Sequence, residues 1–192
     1  METETEAKIK LADANAAKEV IGILDEIAEF KSKRFEINEF YDTAKKKHKK
    51  NDEFVRLRTY RSGRSEKYAV TFKGKKIEDK YKSREEFEVE VSDSNEMKNI
   101  LIAMGYEKVF SFEKKRITYE LIIGNKKCLV EIDELPLLGF YCEVEGNSNK
   151  TIDTALKHLE LSKEKPITTG YVRLLQNLTG KGNKSVPNIT FS

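Results

Sequence analysis

The sequence predicts a mainly β chain of the α+β class, with eight strands and helices inserted at three points. Three observations carry that expectation. Apolar and polar residues alternate with period two along most of the chain, as strands with two unlike faces require. At three places the alternation gives way to helical spacing. Gly, Asn, Asp and Ser gather between the runs, where turns are needed.

In the first strand Glu2, Glu4, Glu6, Lys8 and Lys10 share one face, and Thr3, Thr5, Ala7, Ile9 and Leu11 the other. Over 15–30, Ala16, Val20, Ile23, Leu24 and Ile27 recur at helical spacing behind Asp13, a suitable N-cap. Residues 34–42 read as a second strand, and the lysine-rich 44–52 as a solvated hairpin loop. The third and fourth strands, 53–61 and 66–73, flank a Ser62-Gly63 turn. A charged connection, 74–83, precedes a fifth strand at 84–91. The helix at 93–104 has Asp93 or Ser94 as cap and Gly105 as stop. A long strand at 107–123, a Gly124-Asn125 turn and strands at 127–134 and 140–145 follow. Short helices are expected at 151–161 and 168–178, and the Gly-, Asn- and Pro-containing end is expected to fray. The expected domain is 1–178, with 179–192 as a flexible C-terminal tail.

At 192 residues and 22.2 kDa the chain is sized for one domain. Charged residues make up 36% of it, against the usual ~25%. The 36 basic and 33 acidic residues nearly cancel. That balance excludes a wholly basic nucleic-acid binder, so nucleic acid is not an expected partner. No run approaches the ~20 apolar residues of a membrane span. The start, METETEAKIK, lacks the basic and apolar regions of a signal peptide, so a cytoplasmic location is expected. Cys128 and Cys142 form no C-x-x-C pair and read as buried free thiols. His48 and His158 lie far apart, which argues against a histidine zinc site.

One face of nearly every strand is charged. It carries Arg56 and Arg58, then Lys73, then Arg84, Glu86, Glu88 and Glu90. Lys114, Arg116, Thr118 and Glu120 follow, then Glu131 and Asp133, then Glu143 and Glu145. Two architectures fit. An antiparallel sheet can set one face on a core and the other in water. Alternatively, a closed barrel can turn its charged face inward and pack its apolar face under helices. The second demands that opposite charges meet or that a charged ligand fills the lumen. Paired carboxylates such as Glu4/Glu6 and Glu143/Glu145 suit hard divalent cations, Mg²⁺ or Mn²⁺. Arg56, Arg58, Lys73, Lys114 and Arg116 suit phosphoryl oxygens. Together they point to a metal–polyphosphate complex, bound without a P-loop, since no G-x-x-x-x-G-K-[ST] is present.

The order of these motifs resembles the CYTH superfamily of triphosphate tunnel metalloenzymes. The E-x-E-x-K signature is present as Glu4-Thr5-Glu6-Ala7-Lys8. Phe40-Tyr41-Asp42, Val55-Arg56-Leu57-Arg58, Thr71-Phe72-Lys73-Gly74 and Arg84-Glu85-Glu86-Phe87-Glu88 follow in the family's order. So do Lys114-Lys115-Arg116, Ile132-Asp133, Leu138-Gly139-Phe140 and Glu143-Val144-Glu145. Gly170-Tyr171-Val172-Arg173-Leu174-Leu175 resembles the Tyr-x-x-Leu-Leu helix of the cyclase-like branch.

The resemblance implies an eight-stranded antiparallel β-barrel tunnel with a charged lumen and helices packed outside. It implies Glu4, Glu6, Glu143 and Glu145 as ligands of Mg²⁺ or Mn²⁺. Lys8, Arg56, Arg58, Lys73, Lys114 and Arg116 would bind the triphosphate, with Lys8 also catalytic. Glu86, Glu88 and Asp133 would line the tunnel, whereas Glu90 and Glu131 read as structural or solvated. Triphosphatases of the family often close the tunnel with a C-terminal lysine, for which Lys163, Lys165 and Lys181 are candidates. The expected ligand is ATP or another triphosphate-bearing small molecule, and family precedent allows a homodimer.

The first functional expectation is a class IV adenylyl cyclase-like enzyme. The alternatives are a hydrolase of inorganic or thiamine triphosphate, and a non-catalytic module binding polyphosphate or RNA. Tyr41, Tyr60 and Tyr68 are the aromatics considered for stacking on a base, and a core or sheet-surface role is the reading preferred for them.

Overall fold

Eight of the alternating segments form strands that close on one another, so the charged face has an inside to point into. The structure is a computed structural model that describes residues 3–77, 80–179 and 187–191. The side chains of residues 3, 4 and 82 lie outside that description. The elements run β1 (Thr3–Lys10), α1 (Ala14–Ile27), β2 (Glu29–Thr43), α2 (Lys47–Lys50), β3 (Phe54–Ser62), β4 (Ser65–Lys73) and β5 (Lys82–Val91). They continue with α3 (Ser94–Ala103), β6 (Tyr106–Ile123), β7 (Lys126–Leu135), β8 (Gly139–Gly146), α4 (Asn149–His158), α5 (Tyr171–Thr179) and β9 (Asn188–Ile189).

The ring order is β2-β3-β4-β5-β1-β8-β7-β6, closed by the pairing of β6 back onto β2. All eight contacts around the ring are antiparallel. Strand β1 sits between β5 and β8, with Glu4 opposite Arg84 and Ala7 opposite Val144. Helices α1, α3 and α4 start at side-chain caps. Asp13 accepts the N–H groups of Asn15 and Ala16, Asp93 those of Asn95 and Glu96, and Ser148 that of Thr151.

The outward residues form two apolar layers under helices. Ala7, Ile9, Val130 and Val144 pack with Leu24 of α1 and Ile152 and Leu156 of α4. Val55, Leu57 and Tyr41 pack with Leu101 of α3. A third apolar cluster, at one end of the ring, combines Phe40, Phe110, Phe112, Leu135 and Tyr141 with Tyr171 and Leu175 of α5 and Ile189 of β9. Phe112 shares the inward face of β6 with Lys114 and Arg116. This cluster therefore occupies the ring's interior at the α5 end.

Three features differ from the sequence reading. Strand β2 begins at Glu29, because its first residues pair with β6 through an irregularity between Phe30 and Ser32 that breaks the alternation. The lysine-rich 44–52 segment is not a free loop: it holds α2 and buries His48. The Asp42 carboxylate accepts the N–H groups of Thr43, His48 and Lys49, and the His48 ring stacks on Tyr106 with centroids 5.6 Å apart. At the chain end, residues 180–186 and 192 lie outside the described residues, while Asn188 and Ile189 pair with Ser111 and Phe112 of β6. Among the described residues no helix is long and apolar enough to cross a membrane.

Candidate active site

Register decides which charges meet. Across β1 and β8, Glu6 lies opposite Glu145 and Lys8 opposite Glu143. Across β4 and β5, Thr71 lies opposite Glu88 and Lys73 opposite Glu86. Arg56 faces Thr71, Arg58 faces Asn38, Lys114 faces Glu36 and Arg116 faces Asp133. Directly opposed residues share a sheet face, so closure of the ring gathers all of them inside. They border a cavity of about 2060 Å³, lined among others by Glu6, Lys8, Arg56, Arg58, Lys114 and Glu145.

The wall built by β6, β7, β8 and β1 is saturated with ion pairs. Arg116 donates from Nε to Asp133 Oδ1 and from Nη2 to Asp133 Oδ2, both at 2.6 Å. It also reaches Glu143 Oε2 at 2.5 Å and pairs through Nη1 with Glu131. Lys114 Nζ lies 3.3 Å from Asp133 Oδ2 and 3.4 Å from Glu36 Oε2. Lys8 Nζ lies 3.1 Å from Glu143 Oε1 and 3.9 Å from Glu6 Oε1. Burial works to lower the pKa of Lys8, but Glu143 and Glu6 outweigh it and hold the ammonium above its ordinary value. Burial likewise pushes Glu36 up, and Lys114, Arg58 and Arg116 overcome it, leaving this carboxyl well below the usual range. Glu131 goes the other way: burial and the neighbouring Asp133 and Glu143 carboxylates raise it despite Arg116.

The wall built by β3, β4 and β5 is more open. Arg56 Nη2 donates to Thr71 Oγ1 at 3.2 Å, and Thr71 donates on to Glu88 Oε2 at 2.6 Å. Arg56 stands 3.9 Å from Glu86 and 3.7 Å from Glu88, and Lys73 Nζ is 2.5 Å from Glu86 Oε2. The partner carboxylates here reach solvent, Glu86 at 21% and Glu88 at 37% side-chain exposure, whereas Asp133 and Glu36 are at 0%. Arg56 Nε is buried without a hydrogen-bond partner. Such a donor suits an incoming oxyanion.

Of the residues expected in the site, Glu6, Lys8, Arg56, Arg58, Lys73, Glu86, Glu88, Lys114, Arg116, Glu143 and Glu145 all line this cavity. Asp133 lies behind it, fully buried between Lys114 and Arg116. The Glu4 side chain and Lys181 lie outside the described residues. Lys163 and Lys165 are exposed in the segment between α4 and α5, away from the lining. Glu90 is exposed and pairs with Lys67 at 3.3 Å, while Glu131 is buried in the lumen wall rather than solvated. Sequence reasoning missed Glu36 and Asn38. The alternation of Glu36, Asn38 and Phe40 with Ile37 and Glu39 was the available signal.

Carboxylates among the lining residues offer hard oxygen donors. Glu6 and Glu145 face each other across β1 and β8, which sets two carboxylates side by side. Carboxylate oxygens are the donors that a hard divalent cation takes. Among the described residues no group of three or more His, Cys, Asp or Glu side chains is already gathered for a metal. Glu143 is turned toward Lys8 and Arg116.

The CYTH domain family model matches residues 2–171. A Methanocaldococcus jannaschii protein named "Putative adenylate cyclase" is 28% identical over 180 residues, covering 89% of this chain and 97% of the relative. A solved structure from Pyrococcus horikoshii OT3 superposes with a TM-score of 0.77 at 27% identity, covering 91% of this chain and 99% of that one. A Hippeastrum protein, described as an adenylyl cyclase candidate with a dominant triphosphatase activity, gives 0.67 at 16% identity, over 94% and 98% of the two chains. That last likeness is one of fold alone.

Proposed function

This chain belongs to the CYTH domain family, and from that membership we propose a divalent-metal-dependent enzyme acting on a triphosphate, class IV adenylyl cyclase-like in its first reading. The observation behind it is the lumen, where Lys8, Arg56, Arg58, Lys73, Lys114 and Arg116 converge on one cavity next to opposed carboxylates. The M. jannaschii relative's name supports the cyclase form, in which ATP yields cyclic AMP and pyrophosphate.

Each residue then has a defined task. Glu6 and Glu145, with Glu4 and Glu143, would hold Mg²⁺ or Mn²⁺, which supplies charge neutralisation and a lowered pKa for the attacking oxygen. Arg56 and Lys73 bind phosphoryl oxygens, exchanging contacts with the solvent-reaching Glu86 and Glu88, and Arg58, held by the buried Glu36, adds charge beside them. Lys114 and Arg116 add charge already fixed by Asp133. Lys8, the catalytic candidate, stands beside Glu143 where the metal-side and phosphate-side groups meet.

Hydrolysis of the terminal phosphate is the second reading, and one observation favours it. Of the three tyrosines considered for base stacking, Tyr41 borders the cavity but is buried in the α3 layer, and Tyr68 bonds the exposed Glu66 at 2.6 Å. Tyr60 lines the lumen, but its ring is already engaged by the guanidinium groups of Arg34 at 4.9 Å and Arg58 at 5.2 Å.

The test incubates the protein with ATP and, separately, inorganic tripolyphosphate, with Mg²⁺, Mn²⁺ or chelator. Cyclic AMP plus pyrophosphate supports the first reading. Orthophosphate without cyclic AMP supports the second. No metal-dependent product from either, nor from thiamine triphosphate, leaves a non-catalytic binder. Glu6→Gln combined with Glu145→Gln is expected to remove metal-dependent turnover with the far-UV spectrum unchanged. Full turnover in that variant would take both residues out of the metal site.

A further inference from the structure

Tyr171 has no assigned role in the chemistry above, yet it is the point where α5 touches the charged lumen. It opens α5 and is buried. Its hydroxyl donates to Asp133 Oδ2 at 2.9 Å, the same oxygen that lies 3.3 Å from Lys114 Nζ. Its ring carries Lys8 Nζ 4.1 Å from the centroid and Lys114 Nζ at 5.7 Å. Tyr141 and Phe112 meet the ring edge-on, at 5.2 and 6.4 Å, and fix its plane. The chain just before it is fastened to the same strand as Lys8. Ile167 N–H donates to the Lys8 carbonyl at 2.8 Å, and Lys8 Nζ reaches the Thr169 carbonyl at 3.4 Å. Burial and the Asp133 carboxylate raise the phenol well above its ordinary pKa, so it stays a donor.

A lysine stem is flexible, and holding its ammonium at one point costs rotamer entropy. An aromatic face lowers that cost by attracting the cation at a defined height. We propose that Tyr171 is a positioning residue that sets the place of Lys8 with its ring. Docking of α5 then completes the anion-binding wall rather than merely blocking one end of the ring. This rests on the reading of Lys8 as a triphosphate ligand.

The test keeps shape constant and changes the ring's electrostatics. Tyr171 is replaced by phenylalanine, then by mono-, tri- and pentafluorophenylalanine, and affinity for inorganic imidotriphosphate with Mg²⁺ is measured by calorimetry. Phenylalanine is expected to bind within about threefold of the native chain, and pentafluorophenylalanine about tenfold more weakly than phenylalanine, with the intermediates graded between. In a Lys8→Met background the fluorine series is expected to flatten to within about twofold. A flat series in the native background overturns the proposal, as does an equal slope with and without Lys8, since packing alone would give either. Arg56→Ala serves as the control for the reading beneath it. If the native chain does not bind the probe, or Arg56→Ala binds it equally well, the triphosphate reading falls and takes this inference with it. If both behave as expected and the series is flat, only the role of Tyr171 falls.

Discussion

The two walls of the lumen use the same residue types to different ends. On the β6–β7–β8 side, Arg116 is shared among Glu131, Asp133 and Glu143, and its charge is spent inside the protein. On the β3–β4–β5 side, Arg56 and Lys73 have partners that reach solvent, and Arg56 Nε is unpartnered. Water can solvate Glu86 and Glu88 when a ligand takes their cations, whereas it cannot solvate Asp133. One wall therefore fixes a charge pattern and the other exchanges it.

The largest test of that contrast is Arg116→Met. It leaves three buried carboxylates without their shared cation and is expected to destabilise the fold by about 3–5 kcal/mol in urea unfolding. The same change at Arg56 is expected to cost about 1 kcal/mol or less. Equal losses at the two sites would break the comparison.

Ligand binding should show the reverse order of specificity. Arg56→Ala is expected to weaken binding of a non-hydrolysable triphosphate about thirtyfold, or about 2 kcal/mol, with the melting temperature lowered by no more than about 4 °C. Lys45→Ala, on the exposed segment before α2, is expected to change binding less than twofold. Equal effects would replace the tunnel with nonspecific surface attraction.

The smallest effect is the acid dependence. Despite burial, which alone would raise them, cations hold Glu36 and backbone N–H groups hold Asp42 below their unfolded values of 4.5 and 3.8. Their stabilisation is complete above those values and is lost as pH falls through the lower folded-state ones. Melting temperatures measured from pH 7 to pH 3 should fall below about pH 4.5 through these two groups, opposed by the raised Glu131, which adds stability as it protonates. Glu36→Gln should flatten that fall, and an unchanged profile would remove Glu36 as a contributor.

Much of this was legible because a strand's period is two and its faces are chemically unlike. Lys8, Arg56, Arg58 and Arg116 could be placed on one face from alternation alone. Which side that face took was decided by closure of β6 onto β2, a contact between distant segments with no local signature. The start of β2 was hidden because the irregularity near Phe30 breaks the alternation that reveals a strand. His48 sits in a run of lysines that reads as solvated, and it is buried through Tyr106, fifty-eight positions away. β9 is two residues long, too short for any period to show. Glu131 and Glu143 are equivalent by alternation, and only their distances to Arg116 and Lys8 tell them apart.

The central position of β1 bears on how the molecule comes into being. The first strand of the chain pairs with β5 on one side and β8 on the other, so Glu6 and Lys8 acquire their neighbours only once residues 141–146 have been made. Until then the nascent chain carries two unpaired strand edges and an unfinished ring. Such distant pairings close slowly, because their loop entropy comes due before any contact rewards it. The hairpins β2–β3–β4–β5 and β6–β7–β8 can each assemble locally; the β2–β6 pairing joins them along one seam and β1 is the stave that joins them along the other. A triphosphate bound by Lys8, Arg56 and Arg116 together would recognise only the joined state. By mass action it would act as a folding ligand as well as a substrate.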